Sequence, residues 1–536
     1  MRRVAFPLSV AALGLLVFLA WMHPAVLSPT NVGWLLAGDD RGQSAIGLAA
    51  WLRAGDGWLH EPLLSSPEGL SLLFTDSIPL IGMMVGPVAR WLPAGVQFVG
   101  VWYMLCCLLQ ATFAALLVRR YTDEALAVWL GAALLTLFPA LINRYGHASL
   151  CAQWLLLWAL WIFVEPRRAD RPWGWAAVLA VAAAVHSYLL LMVAAFWASA
   201  LLARLARGGP RLPILAVAGL AVVPAVLILA GHGVFAGRHV STGTYGDFPA
   251  ALDAWWNPAN PGYTALPISS PAMPEGRGFE GFAYLGAGLI LLVLAMVGRA
   301  VTGRTTAAER LLLGRLGWLL PGFAVLALVA IGPAPVWRGH PLFALPLPAA
   351  LVDALDPVRA SGRLLWPATY TLAFAAVAGA AGSARATLLL GGALALQLVD
   401  LAPMLAAVRA TSARADDPQV YRRTLDPRWS PLIASAGAIQ FEPARRFADL
   451  QLMEEIGWRA VGACRPLRYF YASRQTRAAR TRIEADSAAF AAGRIDPTRL
   501  YVLAEGARLP PAAGVVMLDG VRILPPRRPA PLPRCR

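Results

Sequence analysis

Along its first three quarters the chain alternates long uncharged apolar runs with short breaks that carry arginine, and after about residue 405 that alternation stops. A helix rises about 1.5 Å per residue, so a run of about 20 apolar residues spans the roughly 30 Å hydrocarbon core of a bilayer. The pattern predicts about eleven transmembrane helices, over 5–27, 98–118, 125–142, 149–164, 174–187, 189–204, 213–232, 283–299, 316–332, 364–381 and 386–403. Three longer and more polar loops interrupt them, at 28–97, 233–282 and 333–362. Residues 77–89 are also apolar, but that run is too short to cross, and an interfacial or re-entrant helix is expected there.

The remainder has the texture of a soluble domain. Residues 406–425 read as a polar linker and 426–524 as a small α/β domain. Ala448, Leu450, Met453, Ile456 and Trp458 recur at roughly helical spacing within Pro443–Gly462. Arg499–Glu505 and Gly514–Leu524 have the β-branched and apolar content of strands, the second turning at Asp519-Gly520. The Pro- and Arg-rich tail, 525–536, is expected to be disordered.

Composition agrees with a polytopic α-helical membrane protein. Of 536 residues 58% are hydrophobic and only 14% charged, and the mean hydropathy is +0.58. The formal net charge of +16 comes entirely from arginine, with no lysine anywhere, which fits a GC-rich bacterial source. Nucleic acid is not the expected partner, because the arginines cluster in short loops, at 119–120, 167–171, 204–211 and 299–315. The positive-inside rule makes those loops cytoplasmic, in a bacterial inner membrane. The N-terminus is then cytoplasmic, and the long loops and the C-terminal domain are periplasmic. Cys106, Cys107 and Cys151 read as small hydrophobes within helices, whereas Cys464 and Cys535 are free to pair in an oxidising compartment.

The same topology collects mixed-sign polar residues on the outer side. The first loop brings Asp39, Asp40, Arg53, Asp56, Glu61 and Asp76, and helix ends bring Arg144, His147, His186 and Tyr188. The later loops bring Arg238, His239, Glu280, Arg359 and Arg363. Each singly has a plainer reading: Asp39 and Asp76 as helix N-caps, Arg144 and His147 as snorkelling side chains, and Arg359 and Arg363 as headgroup anchors. Trp255 and Trp256 suit either a sugar ring or an interfacial belt. As a set they suggest a site. No Walker loop, dinucleotide fingerprint, zinc-protease motif or nucleophile elbow is present. Outside the cytoplasm an energised substrate has to arrive in the membrane, and a sugar on a polyprenyl phosphate is the usual form. Its transfer needs one carboxylate to take the acceptor proton, and cations to hold the departing phosphate.

Several stretches resemble the GT-C superfamily of integral-membrane glycosyltransferases, in a bacterial group of it, over roughly residues 30–370. They are Gly38-Asp39, Phe74–Pro79, Arg144–His147, Phe279–Gly286 and Arg359–Trp366. The resemblance implies a GT-C-like fold and an essential acidic residue in the first outer loop. Asp39 is then the expected base, with Asp40 as its neighbour, as the true base, or as partner in a magnesium or manganese site. From the outer-face set itself, Arg53, Asp76, Arg144, His147, Tyr188, Glu280, Arg359 and Arg363 are the expected substrate-binding residues. Where the superfamily often places a second acidic residue, this chain has Arg144 and His147. The expected activity is sugar transfer from a polyprenyl-phosphate donor to a periplasmic glycan, lipid or protein. The alternative is a non-catalytic transporter or assembly partner for lipid-linked glycans, for which an internal repeat would be expected and none is evident.

Overall fold

The computed structural model describes residues 2–55, 58–93, 95–235, 240–268, 271–507, 514–531 and 535, without the side chains of 2–5 and 274–276. Asp56, Arg238 and His239 therefore lie outside the described residues.

Every apolar run forms a helix, but among the described residues six helices rather than eleven are long and apolar enough to cross a bilayer. These are Val99–Val118, Ser187–Ala206, Arg211–Gly231, Ala307–Ile331, Ser361–Ala381 and Ala386–Asp416. Ala125–Thr136 and Pro139–Gly146, bent by 44° at their break, make a seventh if taken as one span. Pro139 sets that bend, since it has no N–H to continue the helical ladder. The other expected spans are shorter apolar helices, Phe6–Trp21, Ala148–Phe163, Pro172–Val185 and Ala287–Val301. Their apolar run continues into one-turn helices or breaks, as at Pro24–Leu27, so run length overstates helix length.

The arginine-rich ends meet one another. Arg120 pairs with Glu165 at 2.7 Å, Arg207 with Asp170 at 2.5 Å, and Arg299 with Glu309 at 2.6 Å, while Arg315 donates to the Phe163 carbonyl. At the opposite end the first loop folds inward. Its helix Asp40–Ala54 is buried from Arg41 to Trp51, and Pro79–Val85 with Gly86–Trp91 forms the short helix expected around 77–89.

The C-terminal domain is a four-stranded sheet flanked by the helices Leu450–Gly462 and Arg477–Ala491. Ala438–Glu442 pairs parallel with Arg499–Leu503, which pairs antiparallel with Val521–Leu524, and Val516–Leu518 completes the hairpin. Asp519 and Gly520 both have positive φ (47° and 77°), as the two-residue hairpin turn requires.

Two expectations fail here. The segment 406–425 is no loose linker: helix Ala386–Ala413 runs into it, and the backbone N–H groups of Arg422, Arg423 and Thr424 bond Glu455. The tail is held rather than disordered over its described part. Arg527 and Arg528 donate backbone N–H to the Pro497 carbonyl, Ala530 donates to Ser435, and Cys535 is disulfide-bonded to Cys464. The domain also joins the first loop directly, through Leu467–Leu63, Ser66–Leu467 and Ser473–Phe74 backbone bonds and the Arg482–Glu68 ion pair.

Candidate functional site

A cavity of about 620 Å³ opens where the loops, the helix ends and the C-terminal domain meet. Asp40, Asp76, His147, Tyr188, Glu280, Arg359 and Arg363, all predicted site residues, line it. His186, Gln43, Tyr471, Ser473 and Arg474 join them.

The neighbouring aspartates part company. Asp39 is the N-cap of Asp40–Ala54: its carboxylate accepts from the Arg41 backbone N–H at 3.0 Å and grips the Arg41 guanidinium, with Nη2 to Oδ2 at 2.5 Å. Arg41 is itself buried against Trp34 and Tyr145. Asp39 is thus occupied, and it does not line the cavity. Asp40, one residue further round the first turn, faces the cavity with Oδ2 2.7 Å from His147 Nδ1. The two carboxylates are thus committed to different partners, Asp39 to Arg41 and Asp40 to His147. Among the described residues no group of three or more His, Cys, Asp or Glu is arranged to hold a metal. Behind them Glu454 of the C-terminal domain accepts from Gly38 N–H at 2.7 Å, and burial pushes its carboxyl up to about 9. A neutral Glu454 adds no third negative charge beside Asp39 and Asp40. A Cβ at Gly42 would sit 2.3 Å from the Glu454 carboxyl carbon, so any side chain there would push Glu454 away from Gly38.

Glu280 is the electrostatic centre. Arg144 Nη1 reaches its Oε2 at 2.7 Å, Arg363 Nε reaches the same oxygen at 2.7 Å, and Arg363 Nη2 grips Oε1. Arg144 is fully buried under the rings of Phe279 and Trp366, and therefore supports the site from behind rather than lining it. Burial opposes the charge on Glu280, but Arg363 and Arg144 outweigh it and hold the carboxyl well below its ordinary value. His147 Nε2 lies 3.6 Å from Glu280. Burial works against an imidazolium at His147 too, yet Asp40 and Glu280 push its pKa up to about 9.

A second acid–histidine pair faces the same space. His186 caps Ser187–Ala206, its Nδ1 accepting from Tyr188 N–H at 3.1 Å. That bond leaves the ring proton on Nε2, which lies 3.3 Å from Asp76. Burial lowers the His186 pKa, so this pair is a neutral imidazole beside a carboxylate. Asp76 is no N-cap: Ile78 precedes Pro79–Val85, without a side-chain cap bond. Asp76 instead takes a positive φ of 52°, a strained backbone for a non-glycine residue that turns its carboxylate to His186.

The remaining predictions divide. Tyr188 accepts from Ala360 N–H at 2.9 Å and stacks under Arg363. Arg359 faces the cavity with no carboxylate partner among the described residues. Among the described residues, Arg474, on the C-terminal domain, donates to the backbone carbonyls of Ser473, Asp356 and Pro357. Arg53 is elsewhere, donating to the Gly462 carbonyl at 2.8 Å. Neither tryptophan of the Trp255-Trp256 pair lines the cavity; Trp255 donates to Thr369 and Trp256 meets Trp337 edge-on. His186 was visible in sequence as a helix-end histidine. Tyr471, Ser473 and Arg474 carried no motif, and only docking of the C-terminal domain brings them in.

The chemistry available is general base work by Asp40 or Asp76, and anion binding by Arg359 and Arg474, the lining guanidiniums that Glu280 does not neutralise. Leu73, Phe74, Leu190, Leu229, Val234 and Phe248 make the rest of the wall apolar, which suits an amphiphile. No curated protein and no solved structure matches the chain. Residues 11–402 match a family described as a domain of unknown function, DUF6311, and residues 428–526 match that family's C-terminal domain. The chain belongs to the DUF6311 family.

Proposed function

We propose that this protein is a GT-C-like membrane glycosyltransferase of the bacterial inner membrane, its cavity opening on the periplasmic side. It would move a sugar from a polyprenyl phosphate to an envelope glycan, lipid or protein. The observation that carries the reading is the cavity itself: carboxylates held by histidines at one part, carboxylate-free arginines at another, and an apolar wall between helices.

In the proposed step the acceptor hydroxyl oxygen attacks the anomeric carbon, and its proton passes to Asp40, which His147 orients. The bond from that carbon to the phosphate oxygen breaks, and its electron pair leaves on the polyprenyl phosphate. Arg359 and Arg474 receive the phosphate charge. A leaving phosphate is already a stable anion, so no second acid has to protonate it, unlike in glycoside hydrolysis. Asp76 with neutral His186 is the competing base, favoured by its place in the same cavity.

The test is complementation of a deletion strain, with envelope glycans read by mass spectrometry and protein level by blot. Asp40→Asn is expected to accumulate normally and lose one glycan modification, by about 10²-fold or more as befits a general base. Asp39→Asn is expected to lower the thermal midpoint while transfer per folded molecule persists. Loss confined to Asp76→Asn would move the base to the Asp76–His186 pair. A wild-type glycan profile from both Asp40→Asn and Asp76→Asn would overturn the transferase reading in favour of a transporter or assembly partner.

A further inference from the structure

Arg53, which does not reach the large cavity, lines a second one. A groove of about 430 Å³ runs between the C-terminal end of Asp40–Ala54, the short helix Gly86–Trp91 and the C-terminal-domain helix Leu450–Gly462. It shares no lining residue with the large cavity. The two sites load opposite ends of one helix: Asp40 and Gln43 in its first turn face the large cavity, and Leu52 and Arg53 in its last turn face the groove.

The groove has the chemistry of an amphiphile with an anionic head. Its charged lining residues are Arg53 and Arg90, and no carboxylate lines it among the described residues. Arg53 uses Nη2 on the Gly462 carbonyl and the Cys464 sulfur, while its buried Nε has no hydrogen-bond partner among the described residues. Among the described residues, Arg90 meets the face of Trp91, at 4.2 Å. Leu52, Leu92, Val96, Trp458 and Val461 supply apolar walls. Beside the groove, Met84 (69%) at the end of Pro79–Val85 and Val88 and Trp91 (65%) on Gly86–Trp91 are exposed, large apolar side chains that a headgroup–acyl boundary would cover. A soluble anion would have no use for that rim, whereas a lipid uses rim, walls and both guanidiniums together.

We propose that this groove is a binding site for a bilayer lipid with an anionic phosphate headgroup, distinct from the large cavity and independent of its chemistry. The two arginines take the phosphate, and the acyl chains leave along Met84, Val88 and Trp91.

The experiment adds dioleoyl phosphatidylglycerol, dioleoyl phosphatidylcholine or glycerol 3-phosphate to the delipidated full chain in detergent and counts bound molecules by native mass spectrometry. The wild type is expected to retain phosphatidylglycerol at least 10-fold more tightly than phosphatidylcholine. Arg53→Gln/Arg90→Gln should lose that preference, and Arg445→Gln, at an exposed ion pair, should keep it. Because Arg53 also holds Gly462, Arg90→Glu alone serves as the variant that leaves the fold untouched, and it should weaken phosphatidylglycerol binding by several-fold. Equal binding of phosphatidylcholine, competition by glycerol 3-phosphate at matching concentration, or wild-type retention in Arg90→Glu and the double variant would each overturn the proposal.

Discussion

Two buried polar networks lie where the long loops pack against the helices, and they are built to opposite rules. Around Asp400, on Ala386–Ala413, every valence is closed. Its carboxylate accepts from Tyr284 OH at 2.8 Å, Ala287 N–H at 2.8 Å and the Thr264 hydroxyl. Gln397, one turn away, accepts from Gly288 and Leu289 and donates to the Leu285 carbonyl. Packing there is so close that a Cβ on Gly288 would lie 2.0 Å from the Ala393 carbonyl oxygen. Around Glu280 the balance is left unequal: Arg144, Arg363 and His147 crowd one carboxylate, and Arg359 and Arg474 line the same cavity with no carboxylate of their own among the described residues. Polar groups at membrane depth are expensive in either place. The closed network meets that cost by hydrogen-bonding and caps Ala287–Val301 in doing so. The open one leaves two guanidiniums on the cavity wall with no carboxylate partner among the described residues. Unequal balance beside a cavity, rather than burial of charge as such, is what marks a site.

Removing the central acid from each network separates the two rules. Glu280→Gln strands Arg144 and Arg363, and breaking a buried pair in that way costs about 3–5 kcal/mol. A large fall in thermal midpoint in detergent is expected, together with loss of transfer. Asp400→Asn keeps an acceptor but loses the charge that three donors share, an effect of about 1–3 kcal/mol. Its thermal midpoint should fall less, and transfer per folded molecule should survive. If Asp400→Asn abolished transfer at normal protein level, the division between a closed structural network and an open functional one would fail.

Helix positions were legible because apolar runs report burial in lipid directly, but run length does not report where a helix breaks. The acidic start of Asp40–Ala54 was legible only as a pair. Which aspartate caps and which faces the cavity depends on the first-turn geometry and on Arg41, two residues on. Asp76 looked like a cap before Pro79, yet its positive φ redirects it to His186. Arg359 and Arg363 suggested one helical face by their spacing. In the fold the backbone breaks at Ala360 between two short 3₁₀ turns, so Arg363 turns onto Glu280 and Arg359, among the described residues, has no carboxylate partner. Arg474 was out of reach of any local pattern, because its place in the cavity follows from the docking of a separate domain.

That docking gives the comparison a sharper edge. If the open network completes itself with a phosphate, the guanidinium from the C-terminal domain should matter to binding more than to turnover. A charge-assisted hydrogen bond is worth about 1.5–3 kcal/mol, so Arg474→Gln is expected to raise KM for the lipid donor by roughly 10-fold or more with kcat little changed. Deleting Arg474's carbonyl contacts to Asp356 and Pro357 is an unavoidable side effect, and Arg474→Lys, which keeps the charge, should restore part of the affinity. An unchanged KM in Arg474→Gln would place the phosphate elsewhere in the cavity.

The smallest effect lies in the pH dependence, where the open network and the domain contact overlap. His147, raised to about 9 by Asp40 and Glu280 against its own burial, adds stability that is complete below the ordinary imidazole value of about 6.5 and disappears as pH rises through about 9. Glu454, raised to about 9 chiefly by burial, acts in the same direction, because the folded state holds a proton that the unfolded chain releases above about 4.5. The two differ in where the decline begins. The wild-type thermal midpoint should fall gently from about pH 5 and more steeply between about 6.5 and 9. His147→Gln should remove only the steeper part, and Glu454→Gln should flatten the earlier slope. If His147→Gln left the curve unchanged, the imidazole would carry no extra proton in the folded protein, and the cationic side of the Glu280 network would rest on arginine alone.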